Sequence, residues 1–154
     1  MSFSAPLLVL LVLVISMGYP VQAGVNASLS PFVGYPILAA LVNTTVASLA
    51  LIVMAGLFRV PLPNLAGVGL APWWAWTGGL LGATFVFSSL LLAPKLGAAA
   101  FVSIGVVGTM ISSLLLDHFG LIGYRSIAVT PIRVIGVLLV IAGMLLLQLK
   151  PAQT

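Results

Sequence analysis

Five long apolar runs, joined by short segments that hold nearly all of the charge, constrain this chain more than any other feature. They cover residues 6–29, 36–58, 73–93, 96–116 and 131–149, and Arg133, near one end of the last, is the one charge at hydrocarbon depth. At 1.5 Å per residue each run is long enough to cross about 30 Å of hydrocarbon. Lipid offers the backbone no hydrogen bonds, so continuous apolar runs of this length must be helices; barrel strands would alternate polar and apolar residues, and these do not. Only 4% of the 154 residues are charged, against about 25% in a soluble domain, which excludes a water-soluble globule. The sequence predicts an all-α integral membrane protein with five transmembrane helices in a single domain over residues 1–154.

The remaining composition removes whole classes of function. With no cysteine there are no disulfides, Fe–S clusters, thiolate zinc sites or cysteine nucleophiles. The five basic residues are scattered singly, so nucleic acid has no electrostatic footprint here. No Ser-His-Asp set, paired carboxylates or His-rich cluster is present, so the reading is not an enzyme and implies no cofactor and no metal. Residues 5–17 resemble a signal-peptide core and Val21-Gln22-Ala23 a cleavage site, but Met1-Ser2-Phe3-Ser4 lacks the positive charge of a leader, and a retained first helix is expected. The glycosylation sequons at Asn26 and Asn43 carry little weight, the second lying within a span.

Five spans put the termini on opposite sides of the bilayer. Arg59, Arg125 and Arg133 then share the N-terminal side, against Lys95 and Lys150 on the other. The positive-inside rule needs a clear excess to fix orientation. Three against two leaves dual insertion open, and two antiparallel copies would form the inverted repeat that many transporters carry within one chain. In a single orientation the tally places the N-terminus in the cytoplasm.

Polar residues inside the spans are the candidates for chemistry. Gly18, Gln22 and Asn26 recur at i, i+4, i+8 in the first run, and Pro20 between them removes a backbone donor, so a kink or break is expected there. Interrupted helices with polar side chains near mid-membrane build transporter sites. Gln22 reads as such a site residue, and Asn26, nearer the edge, as interhelical glue. Asn43 lies about two turns inside the second span and needs a helix, a water or a ligand; the Thr44 hydroxyl can bond back to its own helix. Trp73, Trp74 and Trp76 open the third span, where indoles anchor at the headgroup boundary or stack on a solute. Gly78 and Gly82 form a GxxxG step. Gly105, Thr109 and Ser113 share a face, with Gly108 and Ser112 beside it; such stripes read as helix packing, with Thr109 and Ser112 able to offer hydroxyls to a cavity. Asp117 is the one carboxylate available for proton coupling. It falls at a helix end beside Gly120, where water, Arg125 or Arg133 can satisfy it. Links at 59–72, rich in Pro and Gly, and 117–130, with Gly120 and Gly123 as helix terminators, should be irregular.

Several stretches together resemble the YdcZ-like five-helix family of the drug/metabolite transporter superfamily. They are Pro20-Val21-Gln22-Ala23-Gly24-Val25-Asn26, then Trp73-Trp74 leading to Gly78-Gly79 and Gly82, and Pro94-Lys95-Leu96-Gly97-Ala98-Ala99. Gly108 through Ser113 into Asp117-His118-Phe119-Gly120, then Arg133 and Gly136, complete the series, in order across nearly the whole chain. The resemblance implies a multi-pass protein of the bacterial inner (plasma) membrane, one half of a ten-helix unit completed by a second copy or a related five-helix partner, and a transporter or exporter of undefined substrate. Thr109 stands where the family pattern suggests Gln after Gly108, which removes an amide from the cavity. The lack of a membrane-embedded Glu separates the chain from the small multidrug pumps.

These observations lead to a secondary transporter of a small organic metabolite or drug-like solute, working by alternating access as a homodimer, antiparallel or otherwise, in the lipid bilayer. Gln22, Asn43, Trp76 and Thr109 are its expected substrate-binding residues and Asp117 its coupling residue. The rival reading is a non-transporting scaffold or accessory subunit, in which the amides are glue and the glycine stripes are partner surfaces.

Overall fold

The computed structural model describes residues 5–62 and 65–149. The n-region at residues 1–4 and Lys150 lie outside the described residues. Five helical spans long and apolar enough to cross a membrane are present, Pro6–Val33, Pro36–Leu57, Trp73–Leu96, Ala98–Phe119 and Pro131–Gln148, and no strand occurs among the described residues. The chain is an all-α membrane protein. It resolves into two compact units, Met1–Lys95 and Leu96–Thr154.

The first span is two helices, α1 (Ala5–Ser16) and α2 (Gly18–Val33). Pro20 is the cause: it has no N–H for the Ser16 carbonyl, and its ring crowds that same group, so the hydrogen-bond ladder is interrupted at Met17, whose own backbone stays helical at φ −61°, ψ −21°. α2 runs one turn beyond the expected end at Leu29. Pro31 removes only one further bond, and the helix stops where Gly34 takes φ +89°. Tyr35 is then extended, the conformation favoured before proline, and Pro36 starts α3 (Pro36–Leu57) from the first-turn position it favours.

The link that follows is not wholly irregular, since it holds a single-turn helix, α4 (Leu65–Val68). Trp73–Trp76 form a 3₁₀ turn into α5 (Thr77–Leu96), and the Thr77 hydroxyl donates to the Trp74 carbonyl at 2.7 Å. The core of this unit is small. Ala39 and Ala40 of α3 meet Leu90 of α5, with Ala27, Leu29 and Val33 of α2 and Val86 and Phe87 of α5 packed around them. Alanines on α3 let the backbone of α2 approach closely, the means by which helices associate where lipid removes the hydrophobic drive.

The second unit pairs α6 (Ala98–Phe119) with α7 (Pro131–Gln148). Gly97 turns the chain at φ +83°, and Gly120, left-handed at φ +59°, ends α6. A short 3₁₀ turn, Leu121–Gly123, and an extended segment lead to Pro131. That segment folds back on the helix end. The Ile127 N–H donates to the Asp117 carbonyl at 2.7 Å, the Ser126 hydroxyl to the His118 carbonyl at 3.3 Å, and the Val129 N–H to His118 Nδ1 at 3.4 Å. Two last-turn carbonyls of α6, those of Asp117 and His118, thereby gain partners from the return segment.

A Cβ placed on Gly78, Gly82, Gly105 or Gly108 would meet no described atom within 4 Å. Small residues permit close approach but do not compel it.

Candidate functional site

The groove between α6 and α7 gathers the polar groups of the second unit. Thr109, Ser113 and Asp117 follow one another at i, i+4, i+8 on α6, and Arg133 and Gly136 face them from α7. With Met110, Leu114 and Val137 they line a pocket of about 350 Å³. α6 counts 22 residues and is therefore about 33 Å long, with Thr109 close to its midpoint and Asp117 about 12 Å away in the last turn. The groove thus runs from a charged mouth at the end of α6 to a hydroxyl near the midpoint of that helix.

At the mouth, Arg133 NH2 donates to Asp117 Oδ2 at 2.8 Å. The helix ends create this pair. Gly120 reverses the chain after α6, the bond from Ile127 to the Asp117 carbonyl holds the return segment close, and Pro131 starts α7 so that Arg133 falls in its first turn. Of the two arginines expected as partners, Arg133 is the one seated; Arg125 is exposed on the return segment. Asp117 and His118 belong to the helix rather than to the link. Their side chains diverge, Asp117 to Arg133 and His118 to the Val129 N–H and the edge of Phe119.

The pair uses one nitrogen of the guanidinium. Arg133 NH1 is enclosed and makes no hydrogen bond, the one such buried side-chain atom among the described residues. A buried donor left unpartnered costs about 1–3 kcal/mol. The Thr109 hydroxyl donates to the Val106 carbonyl of its own helix at 2.9 Å, which leaves its oxygen free to accept.

Thr109 and Asp117 are therefore brought together. Gln22, Asn43 and Trp76 lie on three elements of the first unit. Gln22 is exposed on α2, where the packed face runs instead through Ala23 and Asn26. Asn26 is only 5% exposed. Asn43 is half-buried on α3, beside Thr44, whose hydroxyl bonds the Ala40 and Leu41 carbonyls of the same helix. Trp76 is exposed on the 3₁₀ turn with Trp73 and Trp74. The sequence reading assigned Ser113 to packing and Arg133 only to charge pairing. Their signal was the four-residue step from Thr109 through Ser113 to the one carboxylate.

Neither a curated protein nor a solved structure matches the chain. A family model described as "Putative inner membrane exporter, YdcZ" matches residues 7–146. That description points to a transporter rather than an enzyme, and it agrees with five membrane-spanning helices and a polar groove between two of them. This chain belongs to the YdcZ family of the inner membrane, as a multi-pass protein with five spans.

Proposed function

We propose that the chain is one half of a dimeric secondary transporter that moves a small organic solute by alternating access. The observation that carries this reading is the α6–α7 groove, which leads from the Asp117–Arg133 pair at the end of α6 to Thr109 near the midpoint of that helix. Transporters bind solute near the bilayer midplane, at sites built where helices are interrupted or polar. Thr109 contacts the solute and Asp117 couples its movement to a proton. Gln22, beside the Pro20 break, with Asn43 and Trp76, supplies the first unit's contacts. A second copy, antiparallel, or a related five-helix chain completes the ten-helix unit. The near-even charge tally, three against two, leaves room for the antiparallel copy.

The test is flux in liposomes, with dimers purified in detergent, reconstituted and supplied with a panel of small organic solutes. Saturable movement of at least one solute is expected, reduced by Gln22→Ala and by Thr109→Val. If no solute moves and Gln22→Ala alters only stability, the reading is abandoned. The accessory-subunit reading draws on the open glycine stripes at Gly78, Gly82, Gly105 and Gly108. Thermal shift separates the two, because a transporter is stabilised by a small ligand and a scaffold only by its partner protein.

A further inference from the structure

Two amides of the first unit have no partner, and they stand level with each other. Asn26 lies seven residues before the end of α2 at Val33, and Asn43 seven residues after the start of α3 at Pro36. Each is therefore about 10 Å along its helix from the turn at Gly34 and Tyr35, in the hairpin where α2 and α3 pack together. Both continue packed faces. Asn26 follows buried Ala23 at i+3, and Asn43 follows buried Ala39 and Ala40 at i+4 and i+3.

Asn26 is buried and Asn43 half-buried, yet neither side chain makes a hydrogen bond among the described residues. An amide that holds helices together must bond to one of them. Ser89, equally deep in this unit, satisfies itself by donating to the Val86 carbonyl of its own helix at 2.7 Å. The two amides are not sealed off either. Arg133 NH1 is the one enclosed side-chain polar atom without a bond among the described residues, so the oxygen and nitrogen of Asn26 keep the exposure that this residue retains.

Accepting the transport reading, we propose that Asn26 and Asn43 bind the solute together, and that this solute is uncharged and carries a carboxamide or lactam edge. An asparagine amide sets N–H donors beside a carbonyl acceptor. The group that satisfies both at once presents an acceptor and an N–H donor side by side in return. The charge follows from the surroundings. α2 and α3 hold no charged residue, and α5 holds only Lys95, in its last turn. An ion between the amides would have no counter-charge, in spans where lipid supplies no hydrogen bond. No bond within the chain breaks and no proton moves when the solute enters. Binding instead removes the cost of two unpartnered amides.

The test is titration calorimetry of the full chain in detergent, with four probes that share one ring and nearly one shape. Benzamide carries the donor and acceptor without charge, benzoate and benzamidinium carry a charge, and acetophenone keeps only the acceptor; pyrrolidinone adds a lactam. Benzamide and pyrrolidinone are expected to bind. The other three bind at least about tenfold more weakly than benzamide, because each leaves a donor or acceptor unmatched or a charge uncompensated. Asn26→Leu and Asn43→Leu each weaken benzamide binding by at least about tenfold, while Asn26→Leu keeps or raises the melting temperature, since it removes no bond. If Asn26→Leu lowers the melting temperature, or yields monomers, with benzamide affinity unchanged, the amide is structural and the proposal fails. Should a variant not fold, the ranking of probes on the unaltered chain still decides. Failure of both benzamide and pyrrolidinone to bind, or binding of benzoate, benzamidinium or acetophenone as tight as that of benzamide, overturns the proposal. Selective benzamide binding with no solute flux in liposomes sinks the transport reading alone, and flux of another solute without benzamide or pyrrolidinone binding sinks this inference alone.

Discussion

Arg133→Gln and Asp117→Asn, made singly and together, measure what the ion pair contributes to the second unit. At 2.8 Å and an effective dielectric constant of about 20, the gross attraction is about 6 kcal/mol. Much of it is offset by desolvation and by residual contact with solvent, since the two side chains are 33% and 21% exposed. That exposure places the pair between a surface bridge, worth about 0–1 kcal/mol, and a buried one, whose breaking costs about 3–5 kcal/mol. The two substitutions differ in what they strand. Arg133→Gln keeps one donor but leaves the more enclosed carboxylate uncompensated, for about 2 kcal/mol. Asp117→Asn keeps an acceptor for NH2 and leaves a longer, more exposed cation, for about 1 kcal/mol. The double variant is expected to cost about 1–2 kcal/mol less than the sum. Equilibrium unfolding in mixed micelles, followed by far-ultraviolet circular dichroism, supplies the three differences. Additivity within about 0.5 kcal/mol would refute the reasoning, because the pair would then join nothing.

Other substitutions separate structure from function. Gly120→Ala forces a side chain into a left-handed backbone, with its Cβ 3.3 Å from that of Ser126. It should lower stability by about 1–2 kcal/mol in the same unfolding assay and loosen the return segment. Gly136→Ala meets no described atom within 4 Å but adds a methyl group to the groove. Melting temperature should hold or rise slightly while saturable flux falls. Pro20→Ala restores a donor to the Ser16 carbonyl, stabilising the first span by about 0.5–1.5 kcal/mol, and liposome flux should drop as α1 and α2 join.

Most of the architecture was legible because lipid imposes it. A chain that must satisfy its own backbone in hydrocarbon leaves its spans in plain sight, and the break next to Pro20 follows from one missing N–H. Ends were harder. Ser30 and Pro31 look like the close of a helix, yet α2 runs on to Val33 and stops at Gly34, whose φ is +89°. Asp117 looks like the start of a loop, yet it stays helical because Gly120 is the true stop. The choice of Arg133 over Arg125 depends on how residues 120–130 fold back, a matter of three specific hydrogen bonds that no periodicity announces. The site was half legible. Thr109 and Asp117 stood out as polar groups in an apolar helix, while Ser113 was hidden among small residues. The unpartnered nitrogen of Arg133 is a matter of geometry, invisible in composition.

Accessibility of position 109 tests the central claim most directly, and the lack of cysteine makes any introduced thiol unique. Thr109→Cys and, as a comparison on the exposed apolar surface of α7, Leu139→Cys are reconstituted in liposomes and treated with a membrane-impermeant thiol reagent. If the groove is a solute path, Thr109→Cys reacts at least tenfold faster than Leu139→Cys, although it lies near mid-membrane. If the two react equally slowly, the groove is closed to water and the account of this chain as a transporter through α6 and α7 is wrong.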